Sequence, residues 1–154
     1  EILNAIPDAR KGTVLGRPFE HVPTYLSGYY KYKAGPVYKK NGQPVSGMKD
    51  MCDIYAIFYE TDEQVKFLDG FNGLTSPNLV SVARIENQQE TDEWTRFYIP
   101  FVTRPGRSVD PEKLAKGGYK LGMVFSSSIH GDTFEGAEGS TLYIDEVEVI
   151  CAED

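Results

Sequence analysis

Aromatic rings and charged groups alternate along three segments that read as strands. Alternate residues of a strand point to the same face, so the residues of each segment share one side. If the three strands join one sheet, their side chains form one surface. The members of that predicted surface are Tyr29, Lys31, Tyr55, Trp94, Arg96 and Tyr98.

Such a surface suits a carbohydrate. Aromatic rings stack on the apolar C–H faces of a sugar, while Arg, Lys and Asp hydrogen-bond its hydroxyl groups. The alternative is that these rings complete a core beneath loops, because Tyr and Trp are often buried with a polar tip outside. The sequence leaves both interpretations open.

One acidic segment has part of a hydrolase pattern. Jelly-roll glycoside hydrolases of the laminarinase type carry E-x-D-x-x-E on a strand, and Asp145 and Glu148 fit its last two acids. Tyr143 stands where the nucleophilic carboxylate belongs, and retaining hydrolysis needs two carboxyl groups about 5 Å apart. No catalytic residue is therefore predicted. A hydrolase or lyase is kept as the alternative, with Asp53, Glu86 and Glu148 as its candidate acids.

The polar segment 127–140 has two interpretations. It is either a ligand or calcium loop that uses Asp132 and Glu135, or a corner whose serines satisfy its own backbone, with Phe134 holding it to the sandwich. The spacing of its acids does not match a calcium loop, which favours the corner. His130 has no nucleophile motif or second histidine nearby. We predict no metal and no cofactor.

Composition indicates one ordinary globular domain over residues 1–154, with 40% hydrophobic and 25% charged residues. The net charge is −7, and Lys and Arg never cluster beyond two adjacent residues, so nucleic acid is not expected as a partner. No apolar run approaches the roughly 20 residues of a membrane span. Cys52 and Cys151 are either two isolated thiols or one disulfide.

The elements predicted around these residues are mostly strands. Residues 25–33 and 79–86 alternate cleanly, and Asp53–Glu60 is apolar on both faces, which indicates a central strand. Residues 121–126 and 142–149 read as a closing hairpin. Asn41-Gly42 predicts a tight turn, Asp110-Pro111 begins a short helix, and residues 1–11 form either a short helix or a cover for a sheet edge. The fold class predicted is all-β: an antiparallel β-sandwich of jelly-roll type with one short helix.

With these segments in view, the chain resembles the putative carbohydrate metabolism domain of Bacteroidetes surface and periplasmic proteins. The resemblance spans most of the chain. It rests on GRPF at 16–19, LSGYYKYKAG at 26–35, DIYAIFYE at 53–60, VARI at 82–85, WTRFYIPF at 94–101 and the long block at 124–149.

The resemblance implies a jelly-roll module, similar to a carbohydrate-binding module, that forms the carboxyl-terminal part of a longer secreted protein or lipoprotein. It implies an extracytoplasmic location and a polysaccharide or glycan as partner. It also implies further strands before the matched region, so an exposed edge here would contact those strands or a partner chain. A structural or adhesive surface module is the third function considered.

Overall fold

The computed structural model describes residues 14–70 and 72–153, and the predictions for residues 1–11 lie outside these ranges. Thirteen strands and one α-helix lie within the described part of the chain. The strands are β1 Val14–Leu15, β2 Arg17–Pro18, β3 Pro23–Lys33, β4 Tyr38–Lys40, β5 Gln43–Pro44, β6 Asp53–Glu60, β7 Leu68–Asp69, β8 Leu79–Arg84, β9 Thr91–Pro100, β10 Val102–Thr103, β11 Tyr119–Ser126, β12 Glu135–Ala137 and β13 Thr141–Cys151. The helix is α1 Pro111–Ala115, and a 3₁₀ turn covers Gly131–Thr133.

Two antiparallel sheets form the sandwich. The back sheet has the order β10-β8-β6-β11-β2, and the front sheet has the order β13-β3-β9. The chain passes from one sheet to the other five times, so most neighbouring strands are distant in sequence. Smaller sheets, β12-β4-β5 and β1-β7, lie beside them. The fold is the predicted all-β antiparallel sandwich of jelly-roll type, with one short helix.

The core between the sheets follows from side-chain alternation in the long strands. Leu26, Tyr30 and Tyr32 of β3 point inward with Phe97 of β9 and pack against Ile54 and its neighbours on β6 and β8. The other face of β6 is buried too, because Ile57 and Tyr59 pack against Leu15 and Leu68. This confirms the prediction of a central strand, since a strand covered on both sides requires apolar residues at every position.

The predicted closing hairpin is wrong. β11 pairs with β6 along its whole length, whereas β13 pairs with β3. Residues 127–140 therefore cross from the back sheet to the front sheet and do not form a hairpin loop. Strand alternation does not specify which neighbour a strand pairs with, and burial on β6 and β3 decides that here.

A buried carboxylate holds this crossing segment. Oδ2 of Asp50 accepts hydrogen bonds from the Ser128 hydroxyl at 2.6 Å, the Ser140 hydroxyl at 2.7 Å and the Ala137 amide at 3.0 Å. Oδ1 accepts a bond from the Met51 amide at 2.9 Å. The serines of the segment thus satisfy a buried charge as well as their own backbone, which supports the structural interpretation of the corner.

Other local predictions can be compared directly. Asn41 and Gly42 both have positive φ between β4 and β5, as a tight hairpin turn requires. The Asp110 side chain accepts a hydrogen bond from the Glu112 amide and thereby caps the amino terminus of α1. Phe134, expected to hold the crossing segment to the sandwich, is 75% exposed, so that expectation is wrong.

The two cysteines are free thiols, so the disulfide alternative is not realised. Cys52 is fully buried in the core between the sheets, and Cys151 at the end of β13 is partly buried. Burial raises the pKa of the Cys52 thiol to about 11, with a further contribution from Asp53. This thiol is therefore neutral at physiological pH and packs as a small apolar group.

Replacing Gly28 with Ala should destabilise the sandwich. A Cβ at this position would lie 2.5 Å from Cζ of the buried Phe97 ring, so the ring or the strand must move. We expect a loss of about 1–3 kcal/mol in the free energy of unfolding, measured by urea denaturation. Gly131→Ala is the control, because its nearest heavy atom would lie at 3.4 Å and no positive φ is needed there. Equal stability of the two variants would show that the Phe97 ring does not require a glycine at position 28.

Replacing Asp50 with Ala should cost more, because three donors on the crossing segment lose a charged acceptor inside the protein. We expect a loss of roughly 2–4 kcal/mol in the free energy of unfolding. The exposed Asp92→Ala variant of β9 is the control for loss of a carboxylate. Thermal and urea denaturation of both variants measure the difference. An Asp50→Ala protein as stable as the control would show that the carboxylate does not hold the segment.

Candidate functional site

The outer face of the front sheet brings five of the six predicted binding residues together. Residues that lie opposite each other in antiparallel strands share a face. Tyr29 on β3 lies opposite Arg96 on β9, and Ser27 lies opposite Tyr98. Lys31 extends over Trp94, with its Nζ 5.2 Å from the ring centroid. The inward residues of β3 fill the core, and Tyr29 on the opposite face is 37% exposed.

The third strand of this sheet adds residues that sequence reasoning did not include. Tyr143 on β13 lies opposite Lys31, and Asp145 lies opposite Tyr29. We call this surface the aromatic face; its members are Tyr25, Tyr29, Lys31, Trp94, Arg96, Tyr98, Tyr143 and Asp145. The spacing of Tyr143 and Asp145 was visible in the sequence, but only the pairing of β13 with β3 shows that they join this surface.

The rings of the aromatic face are open to solvent. Tyr29 is 37% exposed, Trp94 46%, Tyr98 47% and Tyr143 56%. The alternative in which the predicted rings complete the core is therefore wrong for Tyr29, Trp94 and Tyr98. The face is a sheet surface in which successive outward side chains of one strand are about 7 Å apart. It can accept an extended ligand that lies across three strands.

Contacts within the face hold several rings in place. The Tyr25 and Tyr98 rings stack with centroids 4.4 Å apart and planes 18° apart. The Arg96 guanidinium carbon lies 4.9 Å from the Tyr98 centroid. Such ring and cation contacts contribute about 0.5–1.5 kcal/mol each and limit the rotamers of both partners. The face is therefore partly ordered before any ligand arrives.

Charges of both signs lie between the rings. Lys31 and Arg96 supply N–H donors, and Asp145 and Glu148 supply carboxylate acceptors; Glu148 lies opposite Ser27. Sugar hydroxyls both donate and accept, so they can bond to either kind of group. The face has the mixture of apolar rings and paired polar groups that carbohydrate recognition needs.

Tyr55 is not part of the aromatic face. The expectation that the strand of Tyr55 joins the strands of Tyr29 and Trp94 in one sheet is wrong, because Tyr55 is on β6 and β6 lies in the back sheet. Tyr55 is on the outer side of that sheet and lines a cleft with Asp53 and Arg84. The two surfaces lie on opposite sides of the sandwich. The sequence indicated that β6 is a central strand, but it did not indicate which sheet β6 joins.

The candidate acids of the hydrolase alternative lie in three different places. Asp53 is buried and receives two hydrogen bonds from Arg84, from Nε at 3.1 Å and from Nη2 at 2.8 Å. Glu86 lines a groove between β8 and β9, and Glu148 is on the front sheet. The structure does not bring this set together as a catalytic pair in one cleft.

Asp132 and Glu135, the two acids considered for a metal loop, make contacts with different parts of the molecule. Glu135 accepts a hydrogen bond from the Tyr38 hydroxyl at 3.2 Å and pairs with Lys40 at 3.4 Å. Asp132 lies on the wall of the back-sheet cleft. No cluster of three or more His, Cys, Asp or Glu suited to a metal occurs in the described ranges. Across the same part of the chain, no helix has the length and apolar character of a membrane span.

Comparisons with solved structures give two near relatives, both crystal structures of proteins described as putative glycoside hydrolases. One, from Bacteroides thetaiotaomicron, is 56% identical with a TM-score of 0.95 over 99% of this chain. The other, from Bacteroides vulgatus, is 45% identical with a TM-score of 0.91 over 99% of this chain. The chain spans 45% of the first protein and 61% of the second.

No curated protein matches the chain. The profile of one family, described as putative carbohydrate metabolism domain, matches residues 1–150. The match covers almost the whole chain and agrees with the resemblance found in its sequence blocks. The chain therefore belongs to the putative carbohydrate metabolism domain family.

Proposed function

We propose that this domain is a non-catalytic glycan-binding module whose binding surface is the aromatic face. One observation carries the proposal: four exposed rings lie on a single sheet surface with cations and carboxylates between them. The family's link to carbohydrates and the description of the solved relatives support the class of ligand. The ligand is a polysaccharide or other glycan.

The geometry favours an extended chain over a single sugar. A flat sheet face contacts one side of its ligand, so each sugar unit contributes little and several units must bind together. Trp94 and Tyr143 flank Lys31, and Arg96 and Asp145 flank Tyr29, so rings and hydrogen-bonding groups repeat across the strands. Affinity in the ~mM to µM range is expected for such a shallow surface.

Binding without cleavage is supported by the placement of the acids. Glycoside hydrolysis by two carboxylates needs both in one cleft, on either side of the scissile bond. Asp53 is held by Arg84 on the back sheet, whereas Glu148 belongs to the front sheet. Asp132 lines the same cleft as Asp53, but Arg84 donates to both carboxylate oxygens of Asp53, so we assign the hydrolase activity named for the longer relatives to neither surface. An extracytoplasmic location, as part of a longer secreted protein, completes the proposal.

Replacing Trp94 or Tyr98 with Ala should weaken binding to a polysaccharide found in a soluble panel. Each variant loses one ring surface, and we expect a roughly 2- to 10-fold rise in Kd, in line with the ~0.5–1.5 kcal/mol of an aromatic contact. Affinity electrophoresis and calorimetry measure the change. Phe67→Ala is the matched control, because Phe67 is 48% exposed but lies in the segment between β6 and β8. Unchanged binding in both ring variants would exclude the aromatic face.

A second candidate function, assembly through strand exchange, is favoured by one edge of the back sheet. β2 pairs only with Lys120 and Leu121, and residues 122–126 of β11 have no partner on that side within the described part of the chain. Met123 and Phe125 of this strand are exposed although they share a face with buried β6 residues. An unpaired edge with exposed apolar residues is a template for another strand.

If a second copy adds to this edge, purified protein should form dimers whose fraction rises with concentration. Replacing both Met123 and Phe125 with Glu should abolish them, because charge beside an edge strand opposes strand addition. Light scattering and small-angle scattering measure the mass. Met48→Glu is the control, since Met48 is an exposed methionine outside the strands. A monomer at every concentration, or dimers that persist in the double variant, would contradict assembly through this edge.

A further inference from the structure

A cleft of about 560 Å³ lies on the outer side of the back sheet. Its floor is formed by Tyr55 of β6, Arg84 of β8 and Val124 of β11. The segment after β11, with His130 and Asp132, lines it as well. The volume is within the ~300–1,000 Å³ range of small-molecule sites. The cleft is a half-open recess, whereas the aromatic face is a flat sheet surface.

The first argument for a ligand is the hydroxyl group of Tyr55. The residue is only 8% exposed, yet its hydroxyl has no hydrogen-bond partner among residues 14–70 and 72–153. Among the described residues, the buried side-chain polar atom left without a partner is Nε of Arg107, so the Tyr55 hydroxyl reaches solvent in the cleft. A hydroxyl that lines a cleft without a partner is available to a bound molecule.

The environment keeps this hydroxyl protonated. Burial raises the pKa of Tyr55, Asp53 and Asp132 raise it further, and Arg84 opposes them. The phenol is therefore neutral at physiological pH and can both donate and accept a hydrogen bond.

The second argument is the guanidinium of Arg84. Its Nε and Nη2 groups donate hydrogen bonds to the Asp53 carboxylate. Its central guanidinium carbon, Cζ, lies 5.7 Å from the centroid of the Tyr55 ring. Asp53 also raises the pKa of Arg84, so the cation is permanent. A guanidinium has five N–H groups, and those on Nη1 have no partner among the described residues. A held donor with unused N–H groups costs little entropy when a ligand binds.

The charges of the cleft narrow the class of ligand. Asp53 balances the charge of Arg84, and Asp132 adds a second carboxylate to the cleft, so its carboxylates outnumber its guanidinium. An anionic sugar such as a uronate would meet this excess negative charge. A neutral polyol, in contrast, can donate to Asp132 and accept from Arg84 and Tyr55. Hydroxyl groups on adjacent carbons match such neighbouring donors and acceptors.

We propose that this cleft is a second carbohydrate site, separate from the aromatic face, that binds a neutral sugar unit at the end of a glycan. A recess of this volume accepts a chain end or a free sugar, whereas the flat face accepts the middle of a chain. The proposal does not depend on the aromatic face being functional, because the two surfaces lie on opposite sides of the sandwich.

The test uses a panel of neutral monosaccharides and their uronic acids, followed by saturation-transfer NMR and calorimetry on the whole chain. We expect at least one neutral sugar to bind and its uronic acid to bind more weakly. Tyr55→Phe keeps the ring and removes only the hydroxyl, so a roughly 3- to 10-fold rise in Kd is expected. Ser46→Ala, which removes an exposed hydroxyl outside the strands and outside both surfaces, is the control and should bind normally.

Asp132→Asn provides a second variant on an exposed position, in case Tyr55→Phe alters folding. Trp94→Ala separates the two proposals, because it should leave binding in the cleft unchanged while it weakens binding to the aromatic face. A methyl glycoside and an oligosaccharide with the same terminal unit distinguish a free sugar from a chain end. Absence of binding across the panel, preference for the uronic acid, or unchanged binding in both Tyr55→Phe and Asp132→Asn would overturn the proposal.

Discussion

The buried carboxylate of Asp50 is the interaction on which both candidate surfaces depend. It accepts hydrogen bonds from Ser128 and Ser140, which lie at the two ends of the segment that crosses between the sheets. The first part of that segment, including His130 and Asp132, lines the back-sheet cleft. The second part leads into β13, which carries Tyr143 and Asp145 to the aromatic face. A single buried carboxylate thus positions both parts of the segment, because Ser128 and Ser140 donate to the same oxygen atom.

The outer faces of the two sheets differ: the front sheet has a flat surface, and the back sheet has a cleft. Each sheet uses one set of alternating residues for the shared core and leaves the other set outside. On the front sheet the outer set stays open, and rings and charges form a flat surface. On the back sheet the segments around β1, β7 and the 3₁₀ turn cover part of the outer set, and a cleft remains. The difference in cover determines whether a surface suits a chain or a chain end.

The polar groups of the two surfaces differ in how they are held. Arg84 has a bidentate carboxylate partner that fixes its plane, whereas Arg96 and Lys31 lie over aromatic rings. A bidentate ion pair restricts orientation more strongly than a contact with a ring face. The orientation of Arg84 is therefore fixed more firmly than that of Arg96 or Lys31. The aromatic face can adjust its cations to ligands of different shape, which suits weak binding to repeated units.

The amino-acid sequence by itself determined the features that depend on near neighbours. Alternation placed Tyr29 with Lys31 and Trp94 with Tyr98, since the side-chain period of a strand is two. Asp110-Pro111 specified the start of α1, and Asn41-Gly42 specified a turn, because each depends on local backbone preferences. Shared sequence blocks indicated the family.

Only the tertiary structure decided which strands became neighbours. Tyr55 lies on the back sheet, and Tyr143 and Asp145 lie beside β3. β11 and β13, predicted to pair with each other, belong to different sheets. The tertiary structure also gave Asp50 its partners 78 and 90 residues away along the chain. Backbone hydrogen bonds in a sheet are the same for any pair of strands, so pairing is chosen by the burial of side chains from distant segments. That choice is a property of the whole core and is not written in any one strand.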